Sequence, residues 1–219
     1  MKEKILTYVL DVSSIDETNF DNLVMSVKEY RKDKISKLAL FDSKRLSLGV
    51  ELLIKKACED FEIDYSLLEI VFNDNGKPYF KDSKYFFNSA HSGKYVILAI
   101  SDKEVGIDIE HVKEYKQKVA ERCFTKKENN YLDITNDKVD LFYRFWTLKE
   151  SYAKCLGTGL SIPLNSFELT NDDNNIVIKD SNNYQFYEQK YEDYRIAWCV
   201  NISASCKNEY FSKMKVIKF

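Results

Sequence analysis

The sequence predicts an α+β fold in two lobes of similar size, and three observations carry that reading. Two long helical patterns, Leu46-Val50-Leu53-Ala57-Phe61 and Leu141-Phe145-Leu148-Tyr152-Leu156, repeat apolar residues at spacings of three and four. Short strand-like segments follow each, so the chain runs helix then strands twice over. No linker, low-complexity tract or sequence repeat interrupts its 219 residues, which are ample for a core. The expected division is 1–104 for the N-terminal lobe and 105–219 for the C-terminal lobe, with the active site in the cleft between them.

Taken in order, residues 4–12 read as a first strand with Leu6, Tyr8 and Leu10 on one face. Residues 20–40 read as helical and carry Arg31, Lys32, Lys34 and Lys37. Lys44 and Arg45 open the first long helix. A strand at 68–73 is followed by Asn75-Gly76, a turn that wants positive φ, and by Lys77-Pro78-Tyr79-Phe80. Strands at 85–87 and 95–100 flank a polar connection, Asn88-Ser89-Ala90-His91-Ser92-Gly93. The strand at 105–110 leads into a helical, locally basic stretch with Lys113, Lys116, Lys118, Arg122, Lys126 and Lys127. The second long helix, 141–156, stops at Gly157, a C-terminal glycine. Strands are expected at about 166–170, 175–179, 184–190, 194–202 and 210–218, divided by Asn/Asp-rich turns.

Composition narrows the function. An apolar fraction of 44% and a charged fraction of 31% are those of an ordinary globule rather than a disordered chain. The net charge of −2 excludes wholesale polyanion binding, so no nucleic-acid partner is expected. No apolar run approaches the roughly 18 residues of a membrane span. The charged N-terminus, Met1 to Asp11, has too short an apolar stretch for a signal peptide. Five cysteines without C-x-x-C pairing fit a reducing cytoplasm, and two histidines are too few for a multi-histidine metal site.

The chemistry centres on Val105-Gly106-Ile107-Asp108-Ile109-Glu110. Alternation sends Val105, Ile107 and Ile109 into a core and sets Asp108 and Glu110 side by side on the other face. Alone, such a pair reads as a solvated strand face. The second long helix changes the balance, because it is apolar around most of its circumference yet aligns Tyr143, Thr147, Glu150 and Lys154 along one line. If that stripe faces Asp108 and Glu110, three carboxylates converge. Such a set suits a hard cation such as magnesium, with Lys154 supplying charge to a phosphate. Within its polar connection, His91 suits anion binding, although a satisfied loop histidine is the plainer reading. Gly157-Thr158-Gly159 is not a phosphate loop, since it follows a helix rather than opening one.

Together these stretches resemble the 4′-phosphopantetheinyl transferases of the surfactin-synthetase-activating (Sfp) type. The resemblance is carried by Gly76-Lys77-Pro78, by Phe87-Asn88 with His91-Ser92, by Val105 to Glu110, and by Phe145-Trp146-Thr147-Leu148-Lys149-Glu150-Ser151-Tyr152-Ala153-Lys154. Gly157 to Pro163 extends the last block. The resemblance implies two lobes in pseudo-twofold arrangement, each with a long helix on a mainly antiparallel sheet. It implies transfer of the phosphopantetheine arm of coenzyme A to a serine of an acyl or peptidyl carrier protein, releasing adenosine 3′,5′-bisphosphate, by a monomer.

The same resemblance makes Asp108, Glu110 and Glu150 the magnesium ligands and sets Lys154 at the diphosphate. His91 and Ser92 fall at a coenzyme A phosphate, and Lys77 and Pro78 beside the adenine. Arg31, Lys34 and Arg45 match basic residues that bind the cofactor's phosphates, and Glu128 an acidic position near the site. Either Glu150 or Glu128 could accept the serine proton. Ala90 departs from the family, many members of which have serine there; Leu46 likewise stands where some have threonine. The alternatives are a metal-dependent nuclease or phosphohydrolase, which also uses D-x-E with a distant Glu and Lys, and a non-catalytic coenzyme A- or carrier-binding module.

Overall fold

The computed structural model describes residues 4–159, 162–172, 175–179, 181, 183–202 and 211–218. Leu160 and Ser161 of the last motif block, Cys206, and the start of the last expected strand at residue 210 lie outside them. The first strand, β1 (Lys4–Asp11), is buried on both faces. Leu6, Tyr8 and Leu10 share one face, as expected, and it meets a helix, while Ile5 and Val9 on the other meet a second sheet. The region expected as one helix over 20–40 is two, α1 (Phe20–Met25) and α2 (Glu29–Ser36). Between them Ser26 caps the first helix, its hydroxyl bonding back to the Leu23 carbonyl, Val27 turns into the core, and the backbone is extended at Lys28 before the second begins.

The rest of the chain uses one plan twice. In the first half, β1 is followed by the long helix α3 (Phe41–Asp60), a hairpin of β2 (Ile70–Phe72) and β3 (Pro78–Phe80), then β4 (Phe86–Ser92) and β5 (Tyr95–Ser101). In the second half, β6 (Val105–His111) is followed by α4 (Gln117–Cys123), α5 (Lys126–Ile134) and the long helix α6 (Lys138–Leu156). A hairpin of β7 (Leu169–Asp172) and β8 (Asn175–Ile178) comes next, then β9 (Tyr184–Tyr191) and β10 (Tyr194–Asn201). Each half pairs its first strand with its last and its last with the one before it, giving β1-β5-β4 and β6-β10-β9, all antiparallel. The final strand, β11 (Phe211–Ile217), breaks the repeat by crossing back to pair in parallel with β1.

Helix α3 covers one face of the first sheet, and α6 packs on β6 and β10 of the second. The facing surfaces of the two sheets share a core in which Ile5, Val9 and Ile97 meet Ile107, Ile109 and Trp198. The Trp198 indole N–H donates across it to Thr7 Oγ1 at 2.7 Å.

At one edge the sheets are joined by side chains in place of a backbone ladder. Asn88 Oδ1 on β4 accepts from Ile107 N at 2.9 Å, and Ser92 Oγ accepts from His111 N at 3.1 Å. The expected polar connection at 88–93 is instead strand β4, paired with β5 up to Ser92↔Tyr95 with only Gly93 and Lys94 in the turn, and its polar side chains serve this joint. Replacing Asn88 with alanine leaves the Ile107 N–H buried and unpaired, so a loss of about 1–3 kcal/mol in denaturant-induced unfolding is expected.

Candidate active site

On β6, Val105, Ile107 and Ile109 are sealed in the core between the sheets, while Gly106, Asp108 and Glu110 face α6. The glycine sets how near the helix comes. A Cβ built on Gly106 would lie 2.0 Å from the Ser151 carbonyl oxygen and 2.3 Å from Cys155 N, so α6 rests on bare backbone. Beyond that contact the carboxylates of Asp108, Glu110 and Glu150 open with Lys154 onto a cleft of about 540 Å³.

The acidic wall is held from both sides. Lys154 Nζ donates to Asp108 Oδ1 at 2.5 Å, while Asp108 Oδ2 is buried with no partner. Glu110 accepts from Ser92 Oγ at 3.0 Å and from the Trp146 indole N–H at 3.3 Å. Burial pushes the Asp108 carboxyl up to about 7 against the pull of Lys154, and the charges of Glu110 and Glu150 add to the rise. Burial, with Glu110 beside it, also lifts Glu150 above the usual carboxylate range despite Lys154.

The opposite wall comes from the first half of the chain and is cationic. Arg31 and Lys34 on α2 and His91 on β4 line it, and Pro78 and Phe72 add an apolar shelf. Burial, and Arg31 next, hold Lys34 below its ordinary range. His91 is likewise lowered by desolvation and by Lys154. One cleft therefore carries fixed positive charge on one side and a cluster of carboxylates on the other.

Four expected site residues do other work. The Lys77 ammonium points away from the cleft, donating to the carbonyls of Cys155 at 2.9 Å and Val105 at 3.3 Å, where it covers the C-terminal end of α6. Its neighbours Gly76 and Pro78 do line the cleft. Arg45 is engaged by Asp42 and stacks over Phe41, and is not among the cleft residues. Ser92 acts through Glu110 and the β6 backbone.

Glu128 is the clearest correction. It is fully buried, forms a capping box with Thr125 at the start of α5, accepts from Leu169 N at 2.9 Å, and pairs with the fully buried Lys149 at 2.9 Å. With its oxygens so occupied it anchors the start of α5 and is not among the residues lining the cleft. The capping box also explains why the expected helix to Glu128 divides into α4 and α5.

Sequence reasoning left Trp146 and Asn88 without roles, though both lie in the quoted motifs. The Trp146 indole N–H is the only donor that α6 gives to Glu110 among the described residues. Conversely, Tyr143 and Thr147 of the polar stripe are buried, and the Thr147 hydroxyl bonds to its own helix.

Among the described residues, no three histidine, cysteine or acidic side chains stand close enough to hold a metal ion by themselves. A magnesium ion does not need that, since one or two carboxylates with substrate phosphates and water suffice. The all-oxygen donor set and the unpartnered, buried Asp108 Oδ2 fit such an ion.

Residues 104–199 match the family described as the 4'-phosphopantetheinyl transferase superfamily, and residues 15–103 match the family described as 4'-phosphopantetheinyl transferase, N-terminal. The chain is 33% identical over 218 residues to the 4'-phosphopantetheinyl transferase gsp of Aneurinibacillus migulanus, which spans 96% of this chain and 91% of that protein. It is 36% identical over 133 residues to the 4'-phosphopantetheinyl transferase Sfp of Bacillus subtilis, 58% of each chain. Among solved structures, the holo-[acyl-carrier-protein] synthase of Thermotoga maritima overlaps 45% of this chain and 62% of its own, at 24% identity and a TM-score of 0.41.

Proposed function

Because the chain belongs to the 4′-phosphopantetheinyl transferase superfamily, we infer that the cleft between β6–α6 and α2–β4 is where coenzyme A and the carrier serine meet. The protein transfers the 4′-phosphopantetheine group of coenzyme A to a serine of an apo carrier protein. The observation that carries the site assignment is the pairing of a wall carrying the cations Arg31 and Lys34 and the imidazole of His91 with the carboxylates of Asp108, Glu110 and Glu150 across one cleft. Coenzyme A matches it, having several phosphates for the first wall and a diphosphate for a cation held at the second.

In the reaction the serine oxygen bonds to the phosphorus of the pantetheine phosphate, and the bond from that phosphorus to the bridging oxygen breaks. The bridging oxygen leaves with adenosine 3′,5′-bisphosphate, and the serine proton goes to a base. Phosphoryl transfer asks the protein mainly for positioning and for stabilisation of charge. Magnesium, when bound by Asp108, Glu110 and Glu150, would neutralise charge on the diphosphate. Lys154 adds positive charge at the same place once released from Asp108. Ser92 and Trp146 hold Glu110 in one orientation before substrate arrives. We place the proton acceptor at Glu150, directly or through a water, since it lines the cleft while Glu128 is enclosed elsewhere.

Lys113, Lys116, Lys118 and Lys126 are exposed around α4 and the start of α5, and offer charge complementary to an acidic carrier surface. No helix among the described residues is long and apolar enough to cross a membrane, and four described cysteines are free. The free cysteines fit the reducing compartment of a cytoplasmic enzyme, which we propose acts as a monomer with its two lobes dividing near residue 104. The nuclease and phosphohydrolase alternative finds no support in the relatives. Incubation with coenzyme A, magnesium and an unmodified acyl or peptidyl carrier is expected to raise the carrier's mass by one phosphopantetheine, and excess EDTA to stop it. No mass change across a panel of carriers would refute the assignment, and transfer undiminished by EDTA would remove the metal.

A further inference from the structure

Helix α3 carries a charge where its sequence is otherwise apolar. Glu51 lies in Gly49-Val50-Glu51-Leu52-Leu53-Ile54 and is fully buried. A lone buried carboxylate is strongly unfavourable unless paired and hydrogen-bonded. Here both oxygens are engaged, Oε1 accepting from Tyr65 OH at 2.8 Å and Oε2 from Tyr30 OH and from Arg31 Nε, the latter at 3.0 Å. Arg31 is itself only 8% exposed and lines the cleft. Bonding to Glu51 through Nε leaves its terminal nitrogens for the cleft, with Nη1 3.4 Å from Ser47 Oγ. The guanidinium also packs over the Tyr30 ring, its centre 5.4 Å away.

We propose that Glu51 is a positioning residue for coenzyme A: it fixes the Arg31 guanidinium in the orientation that presents its terminal N–H groups to a phosphate. The proposal rests on the reading that this cleft binds coenzyme A. An arginine side chain loses substantial rotamer freedom when it is ordered. A planar guanidinium held at one nitrogen has already lost that freedom, so little is lost when the anion binds. The two tyrosine hydroxyls do for Glu51 what Glu51 does for Arg31, and the relay reaches from α3 to the cleft without Glu51 touching substrate. Stability alone does not demand this pair, because well-packed apolar side chains replace a buried ion pair at little or no loss.

The test is a double-mutant cycle read in steady-state kinetics with saturating apo carrier and varied coenzyme A, each variant checked by thermal melting. Glu51→Gln keeps the volume and the tyrosine bonds but removes the charge that holds Arg31. It is expected to raise KM for coenzyme A about tenfold, the loss of one charge-assisted hydrogen bond, with kcat within about twofold. Arg31→Ala is expected to raise KM at least as much, and adding Glu51→Gln to it to change KM by less than about twofold.

An equal effect of Glu51→Gln with and without Arg31, or an effect on kcat rather than KM, would overturn the proposal while leaving the cleft assignment standing. If Arg31→Ala leaves KM unchanged, the placement of coenzyme A against this wall fails, and the proposal with it. Tyr65→Phe provides the same cycle in a variant that keeps the ion pair. It is expected to raise KM about two- to threefold, again only when Arg31 is present. Should Glu51→Gln not fold, that cycle decides, and no KM change, or one that persists in Arg31→Ala, overturns the proposal.

Discussion

Substituting Asp108 by asparagine is expected to slow transfer by about a hundredfold to a thousandfold, the range for removing one charge-stabilising group from a reaction centre, while making the metal-free protein more stable at pH 8. The activity loss follows from removing one of three carboxylates on the acidic wall. The stability gain follows from burial. Asp108 is 5% exposed, one of its oxygens has no partner, and Glu110 and Glu150 repel it. Lys154 offsets part of this, but it is partly solvent-exposed and can turn to Glu150 when Asp108 loses its charge.

The sign of the pH effect is fixed by the direction of the shift. Folding raises the carboxyl from its ordinary range to about 7, chiefly by burial. The folded state then binds the proton more tightly than the unfolded chain. The resulting stability is fully present below the ordinary carboxylate range and is lost as pH rises through about 7. The wild-type melting temperature without divalent cation should fall between pH 5 and pH 8 by more than that of the asparagine variant, and magnesium should restore it. Parallel melting curves in that window would mean that Asp108 is not strained by its charge. A variant with near-normal turnover at low magnesium would remove it from the metal set.

What could be read from the chain, and what could not, divides along physical lines. Alternation placed Ile107 and Ile109 inward and Asp108 and Glu110 outward, because one buried face of a strand tolerates no other register. The spacing of α6 brought Glu150 and Lys154 to the same wall, since a helix with most of its surface packed has one direction left. Side chains that could bond in more than one way were not legible. Lys77 sits in a motif next to cleft residues, yet its long stem lets the ammonium reach backbone carbonyls on the other side. Glu128 is three residues after Thr125, a capping-box spacing visible in the sequence, but the weight of the motif drew it toward the site. Asn88 and Ser92 read as turn residues because polar side chains favour turns. Their role as a joint between two sheet edges depends on a strand that follows 19 residues later, which no local pattern reveals.

The second large effect is expected at Gly106, where the sequence shows a glycine inside a strand and the structure shows why. Gly106→Ala places a methyl carbon 2.0 Å from the Ser151 carbonyl oxygen, 2.3 Å from Cys155 N and 2.9 Å from Cys155 Cα. All three are backbone atoms of α6, so no rotamer change relieves the clash and the helix itself must move. It cannot move alone, because Tyr152 and Cys155 pack against β10 and the buried Lys149 ties the helix to the carbonyls of Leu164 and Phe167. A loss of about 3 kcal/mol or more is expected from such overpacking. In a chain of this size that lowers the melting temperature by roughly 6–12 °C. The same shift carries Glu150 and Lys154 away from Asp108, so the folded fraction should also lose most of its transfer activity, unlike Asn88→Ala, which loosens the sheet joint without pushing on α6. Calorimetry and the carrier mass assay on one preparation separate the cases. Asp108→Asn is predicted to be inactive and stable, and Gly106→Ala to be inactive and unstable, with magnesium recovering little of the latter's melting temperature. An alanine variant that melts normally would show that α6 is not seated on the β6 backbone. One that melts low but turns over normally when folded would show that the distance between the two elements is not what sets the alignment of the carboxylates and Lys154.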